Sequence, residues 1–151
     1  NPGQKSDSVI HHFDIFSTIA SAAKTKSLNE NELDGVNLLP YIKNEKSSEP
    51  HKTLFWRSGN HQSVLHGKWK YIISKKENMR WLFDTSIDPL EKNNLIESHA
   101  EEAQSIKELL AKFNSEQKEP LFPSAYEAPI MIDKYEGQKY EEGDEYIYWS
   151  N

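Results

Sequence analysis

Between Thr53 and Thr85 the chain runs through four short stretches, TLFWRS, QSVLHG, WKYIIS and RWLFDT, each rich in aromatic or β-branched residues. Such residues fit a pleated, half-buried surface. Tight polar connections between them join neighbours into an antiparallel meander. The reading gives strands over 53–58, 62–67, 69–74 and 80–85, connected by GNH, Gly67-Lys68 and KKEN. Leu54, Trp56, Trp69, Tyr71, Ile73 and Leu82 are the candidates for the sheet faces.

The stretch LFDTSIDPLEKNNL (82–95) carries the chain out of the last strand. Asp88 can cap a helix, Pro89 suits a first helical position and Glu91 falls at the third. Asn93 and Asn94 then stop a short helix, and Leu95 docks back. Ser98 and Glu101 repeat the capping pattern, and Ala103, Ile106, Leu110 and Phe113 recur at helical spacing. A helix over 98–117 can therefore cover one sheet face. Ahead of the sheet, Val9, Phe13, Phe16, Ala20 and Ala23 predict a second helix over 8–24, capped by Ser8. Residues 25–52 are polar and broken. Asp34-Gly35 marks a turn, and Leu33, Val36, Leu38, Leu39 and Ile42 can anchor the loop. The expected fold is α+β: a small four-stranded antiparallel sheet covered by a C-terminal amphipathic helix, plus an N-terminal helix and an extended acidic C-terminal arm. Three parts follow: 1–52, 53–119 and 120–151.

Composition limits what such a fold can do. With 36% apolar residues in 151 and a mean hydropathy of −0.83, the core is modest. The net charge of −6 speaks against nucleic-acid binding, which needs a basic face. Between Glu127 and Glu145 stand seven acidic residues and two lysines, so most of the charge lies in the arm. The absence of cysteine removes disulfides and thiolate chemistry. No apolar run approaches a membrane span and no signal peptide is visible. The chain opens on NPGQKSDS without methionine and reads as a cut piece, natural or artefactual.

Six histidines invite a metal reading. His11 and His12 are adjacent, not at the i, i+4 spacing that zinc sites favour, and read as helix-surface residues. His61 and His66 flank one strand without nearby carboxylates. EEGDE (141–145) lacks the alternating oxygens of a calcium loop and reads as a solvated arm. There is no G-x-S-x-G elbow, no P-loop and no G-x-G-x-x-G. Arg57, followed by SGNHQ, can offer a fork of donors to an anion, or pair with a carboxylate. Trp56, Arg57, Asn60, His61 and His66 are the candidate substrate-binding residues, because this strand end is polar and aromatic together. A surface loop beside a core aromatic is the alternative for each.

The order HFDIFSTIASAA, DGVNLLPYI, LFWR, GKWKYI, WLFDTSIDPLEKNNL resembles the C-terminal subdomain of type I, arylsulfatase-like, formylglycine-dependent bacterial sulfatases of the alkaline phosphatase superfamily. The matching residues are Asp14, Thr18, Asp34, Gly35, Leu38 or Leu39, Pro40, Trp56, Arg57, Gly67, Trp69, Lys70, Phe83, Asp84, Asp88, Pro89, Glu91, Asn94 and Leu95. The ending EYIYWSN also looks like the tail of some bacterial sulfatases. Ser17 replaces a usual proline, Ala23 a usual glycine, and Leu65 an arginine often found there. The resemblance implies a parent that hydrolyses sulfate esters of carbohydrate or aryl substrates in the periplasm or outside the cell. Calcium and formylglycine are expected in its N-terminal domain, where the formylglycine attacks sulfur while metal and cations stabilise the sulfate charge. This chain holds no C/S-x-P-x-R motif. SEPHK (48–52) lacks the arginine and reads as a loop. The piece is then inactive alone, with no catalytic or metal residues. Residues 1–52 edge the missing catalytic domain, which is its expected partner, and the sheet helps wall a pocket for a sulfated glycan. No nucleic acid or membrane partner is implied. The alternative is a stand-alone carbohydrate-binding or accessory module, presenting Trp56, Trp69, Trp81 and Tyr71 to sugars.

Overall fold

The computed structural model describes residues 3, 5–25, 33–75, 78–119 and 121, together with the backbone of 130–131 and 146–147. The chain divides into two compact units, Asn1–Lys52 and Thr53–Asn151.

The second unit is built on four strands: β1 (Thr53–Ser58), β2 (His61–His66), β3 (Trp69–Ser74) and β4 (Met79–Asp84). They form one antiparallel sheet in the order β1-β2-β3-β4, the expected meander. Two strands are displaced by one residue from the expected spans. β2 begins at His61 because Gly59, at φ 55°, closes the first turn in two residues, and Ser58 pairs directly with His61. β4 begins at Met79, which pairs with Ser74 after Asn78 takes φ 53°. It ends at Asp84, because the Thr85 N–H bonds the Lys68 carbonyl at 2.9 Å.

The register sorts side chains between two faces, since successive residues point to opposite sides. The ladder Phe55–Val64–Tyr71–Leu82 runs across all four strands on one face. There it meets α3 (Ala100–Glu116), whose Ala103, Ile106 and Leu110 are buried with Val64, Tyr71 and Leu82. Phe55 stacks on Phe113 with centroids 4.2 Å apart, and Trp69 lies 5.1 Å from the His99 ring. The other face carries Leu54, Ile72, Trp81 and Phe83, also buried. Trp56 and Trp81 therefore lie on the face opposite Trp69 and Tyr71.

The connection from β4 to α3 is not the short capped helix expected. Residues 85–99 form turns. Asp88 spends its carboxylate on the Asn93 N–H at 2.8 Å, and Glu91 adopts φ 54°. Glu91 leaves helical space because its carboxylate reaches Lys70 Nζ at 2.6 Å, both groups being largely buried. The Asn94 side chain accepts the Leu82 N–H and donates to the Arg80 carbonyl, and the Leu95 N–H bonds the Leu82 carbonyl. One asparagine thereby pairs the free edge of β4 as a further strand would. α3 starts at Ala100 without a side-chain cap, because Ser98 Oγ bonds the Leu95 carbonyl instead. β5 (Ile130–Met131) and β6 (Tyr146–Ile147) pair antiparallel. The rest of the expected acidic arm lies outside the described residues.

In the first unit, α1 spans Asp14–Ala22, shorter than the expected 8–24, and α2 is the single turn Leu39–Ile42. Ser8 does not cap α1. Asp14, inside the first turn, accepts the His11 N–H at 2.7 Å and holds the entering chain out of the helix.

Candidate functional site

The five candidate residues fall on β1, β2 and the turn between them, but not on one surface. Trp56 pairs with Ser63 and His61 with Ser58, so both indole and imidazole belong to the face away from α3. His61 is buried and Trp56 half-buried. Arg57 and His66 belong to the α3 face, at opposite ends of the strand pair. Arg57 stands beside Gln62, whose Oε1 accepts a hydrogen bond from Asn114 at 2.9 Å. Its guanidinium lies 3.9 Å from the exposed Glu119 carboxylate, a loose pair. His66 Nδ1 is 2.6 Å from Thr53 Oγ1. Arg57 is four residues along β1 from Thr53, roughly 13 Å at the ordinary strand rise. Asn60 occupies the turn, where its carbonyl accepts the Lys75 N–H at 2.9 Å. The structure thus brings Trp56 and His61 onto one face and separates Arg57 from His66.

The first unit holds a centre that the histidine spacing did not signal. The Asp14 carboxylate, fully buried, accepts N–H bonds from His11 and from Val36 at 2.9 Å, and both its oxygens lie 2.8 Å from His51 Nε2. Burial opposes its ionisation, but the His11 and Val36 amides and His51 outweigh that and hold the carboxyl below the ordinary range. Burial, reinforced by His12, pushes the His11 imidazole down against the pull of Asp14. Farther along α1, Ser17 Oγ donates to the Gly35 carbonyl, Thr18 Oγ1 accepts the Leu38 N–H, and Asn37 donates to Ser21 Oγ. The helix therefore grips the loop 35–38 through its polar side chains. Beside this grip a cleft of about 580 Å³ is lined by Ser21, Lys24, Asn37, Pro40, Tyr41 and Lys46, among others. The spacing of Asp14 and Thr18 ahead of Asp34-Gly35 was visible in the sequence. The arrival of His51 from SEPHK was not.

Among the described residues no three His, Asp or Glu side chains gather as a metal site would require. The sequence carries no cysteine and no C/S-x-P-x-R stretch. What this arrangement can supply is shape, aromatic surface and a few donors.

No family model matches the chain. Over 50 residues, 33% of the chain, it is 40% identical to the uncharacterized sulfatase YdeN of Escherichia coli (strain K12), covering 9% of that protein. A candidate sulfatase from Bacteroides thetaiotaomicron superposes on 68% of the chain with a TM-score of 0.59 at 22% identity. A 2-O GAG sulfatase does so over 68% with a TM-score of 0.58, also at 22% identity. In each solved structure the matched part is 24% of that protein's chain. The chain spans about a quarter of these solved relatives and under a tenth of the curated one.

Proposed function

We propose that this chain, which has the fold of a sulfatase C-terminal subdomain, serves as that subdomain in a longer enzyme that hydrolyses sulfate esters of glycans. The observation that carries the reading is the fold, which superposes on solved sulfatases over 68% of the chain, together with a 50-residue match 40% identical to a curated sulfatase. Carbohydrate is the favoured substrate class because one of the matching structures is a 2-O GAG sulfatase. Calcium and formylglycine belong to the part of the enzyme outside residues 1–151, in the periplasm or outside the cell. Among the described residues no helix is long and apolar enough to cross a membrane.

Within this reading Trp56 and His61 wall the substrate pocket from the face opposite α3, and Arg57 and Asn60 approach it from the strand end. The test uses the polypeptide that contains this chain, matured with formylglycine and supplied with calcium, and measures sulfate release from sulfated saccharides. Release that depends on calcium and formylglycine supports the proposal. No release, with glycan binding by residues 1–151 alone, would make the chain a carbohydrate-binding module instead.

A further inference from the structure

Between the sheet and α3 lies a cavity of about 180 Å³. Its polar lining is Tyr71 from β3, Arg80 from β4, and Gln104 and Lys107 from α3, together with apolar residues that include Ile96 and Ala103. All of them belong to the second unit. Tyr71 is the unusual member. It is 1% exposed, and its hydroxyl has no hydrogen-bond partner among the described residues. A buried O–H without an acceptor costs stability, and phenylalanine would fill the same core without that cost. The two cations beside it are also uncompensated. Among the described residues neither Arg80 nor Lys107 makes an ion pair. Three and four positions from Lys107 along α3 stand Ala103, Gln104, Leu110 and Ala111, none of them acidic. Arg80 faces Ile73 across the sheet. Burial pushes the Tyr71 phenol pKa up and the Arg80 charge draws it back, so the guanidinium acts on that ring.

We propose that this cavity binds a tetrahedral oxyanion, held between Tyr71 and Arg80 on the sheet and Gln104 and Lys107 on α3. The polar side chains of the lining can all donate, and none of the lining residues carries a carboxylate. Gln104 gives one amide hydrogen to Glu108 at 2.8 Å and keeps a second for the cavity. The donors stand on two walls. A planar carboxylate, with both oxygens on one side, would satisfy one wall. A tetrahedral anion presents oxygens to both, and charge-assisted bonds to arginine and lysine are the strong ones. Such an acceptor would also relieve the Tyr71 hydroxyl. The same chemistry is offered by a free sulfate ion and by a sulfate group carried on a sugar. The site stands on the geometry of the second unit and does not depend on the hydrolase reading.

The test uses the native polypeptide that contains this chain, with tyrosine selectively labelled at Cζ and read by carbon NMR. Loss of one signal in Tyr71→Phe identifies the ring. Sodium sulfate is then titrated against sodium chloride and sodium acetate at matched ionic strength. The expected result is a saturable shift of the Tyr71 signal with sulfate and none with the other two. Lys107→Gln, at an exposed helix position, should weaken that binding by roughly tenfold, the loss of one charge-assisted contact, while Lys107→Arg retains it. A parallel titration with a monosulfated glucosamine separates the two sources. Saturation at a lower concentration than free sulfate assigns the site to a sulfated sugar, and the reverse assigns it to the free ion. An unmoved Tyr71 signal, an equal shift with acetate or chloride, or unchanged affinity in Lys107→Gln would each overturn the proposal. Sulfate release is scored separately, so binding at Tyr71 in a polypeptide that releases none would remove the hydrolase reading alone.

Discussion

At the residue scale, Asp14 and Gly35 are the most demanding positions in the first unit. A Cβ on Gly35 would lie 2.3 Å from the Phe13 carbonyl oxygen and 2.9 Å from Ser17 Oγ, and the nearer neighbour is backbone that cannot step aside. Gly35→Ala is expected to destabilise this unit by about 1–3 kcal/mol, the usual range for overpacking, read as a lower melting temperature. Asp14 is ionised in the folded unit and its pKa is lowered. The stability it contributes is therefore complete above the ordinary carboxylate range and is lost as the pH falls through that range towards the depressed folded value. Asp84 behaves in the same sense, chiefly because Lys68 Nζ lies 2.6 Å from its carboxylate and Ser86 also donates to it. Acid unfolding of wild type and Asp14→Asn should show it: the variant loses stability near neutral pH but has a shallower loss in acid. Tyr71 gives the opposite kind of prediction. Burial pushes its phenol pKa up, and its hydroxyl has no hydrogen-bond partner among the described residues. Tyr71→Phe removes an unsatisfied group while keeping the ring against Val64 and Leu82. It should be neutral or stabilising by up to about 1 kcal/mol in denaturant melts.

At the element scale, the corner after β4 shows how local signals are redirected by long-range partners. Asp88, Pro89 and Glu91 carry the residue types of a helix start. The helix does not form because Glu91 is drawn to Lys70, 21 positions earlier in the chain, and Asn94 is drawn to the open edge of β4. Asn94→Ala should release the Leu82 amide and the Arg80 carbonyl together. The expected loss is about 1–2 kcal/mol, with faster hydrogen exchange at the Leu82 amide than at Val64 in the sheet centre. The strands and α3, by contrast, were legible almost to the residue. The aromatic and β-branched runs between tight polar connections, and the 103–106–110–113 spacing, are local consequences of which residues must be buried. The two one-residue shifts came from turn geometry, where a single positive φ at Gly59 or Asn78 sets where pairing resumes.

At the scale of the whole molecule, the candidate site was only partly legible. The sequence grouped Trp56, Arg57, Asn60, His61 and His66 by proximity along the chain, but adjacent strand residues point to opposite faces. Among the described residues Arg57 makes a long ion-pair contact with the exposed Glu119, but only 20% of its side chain is exposed, so Arg57→Ala should cost about 1 kcal/mol, chiefly through lost packing of its stem. A raised KM for sulfate release in the full enzyme would report a substrate contact rather than that loss. His61 is buried, so His61→Ala should lower the melting temperature whatever it does to KM.

The sequence by itself determined the meander, the covering helix and the resemblance to sulfatases, because each depends on residues close in the chain or on their order. The tertiary structure alone decided that His51 closes on Asp14, that Glu91 leaves the helix for Lys70, and that α1 turns its polar side inward. Those outcomes are set by which hydrogen-bonding groups a buried carboxylate or an open strand edge finds across 12 to 37 positions of chain, and no local period records that choice.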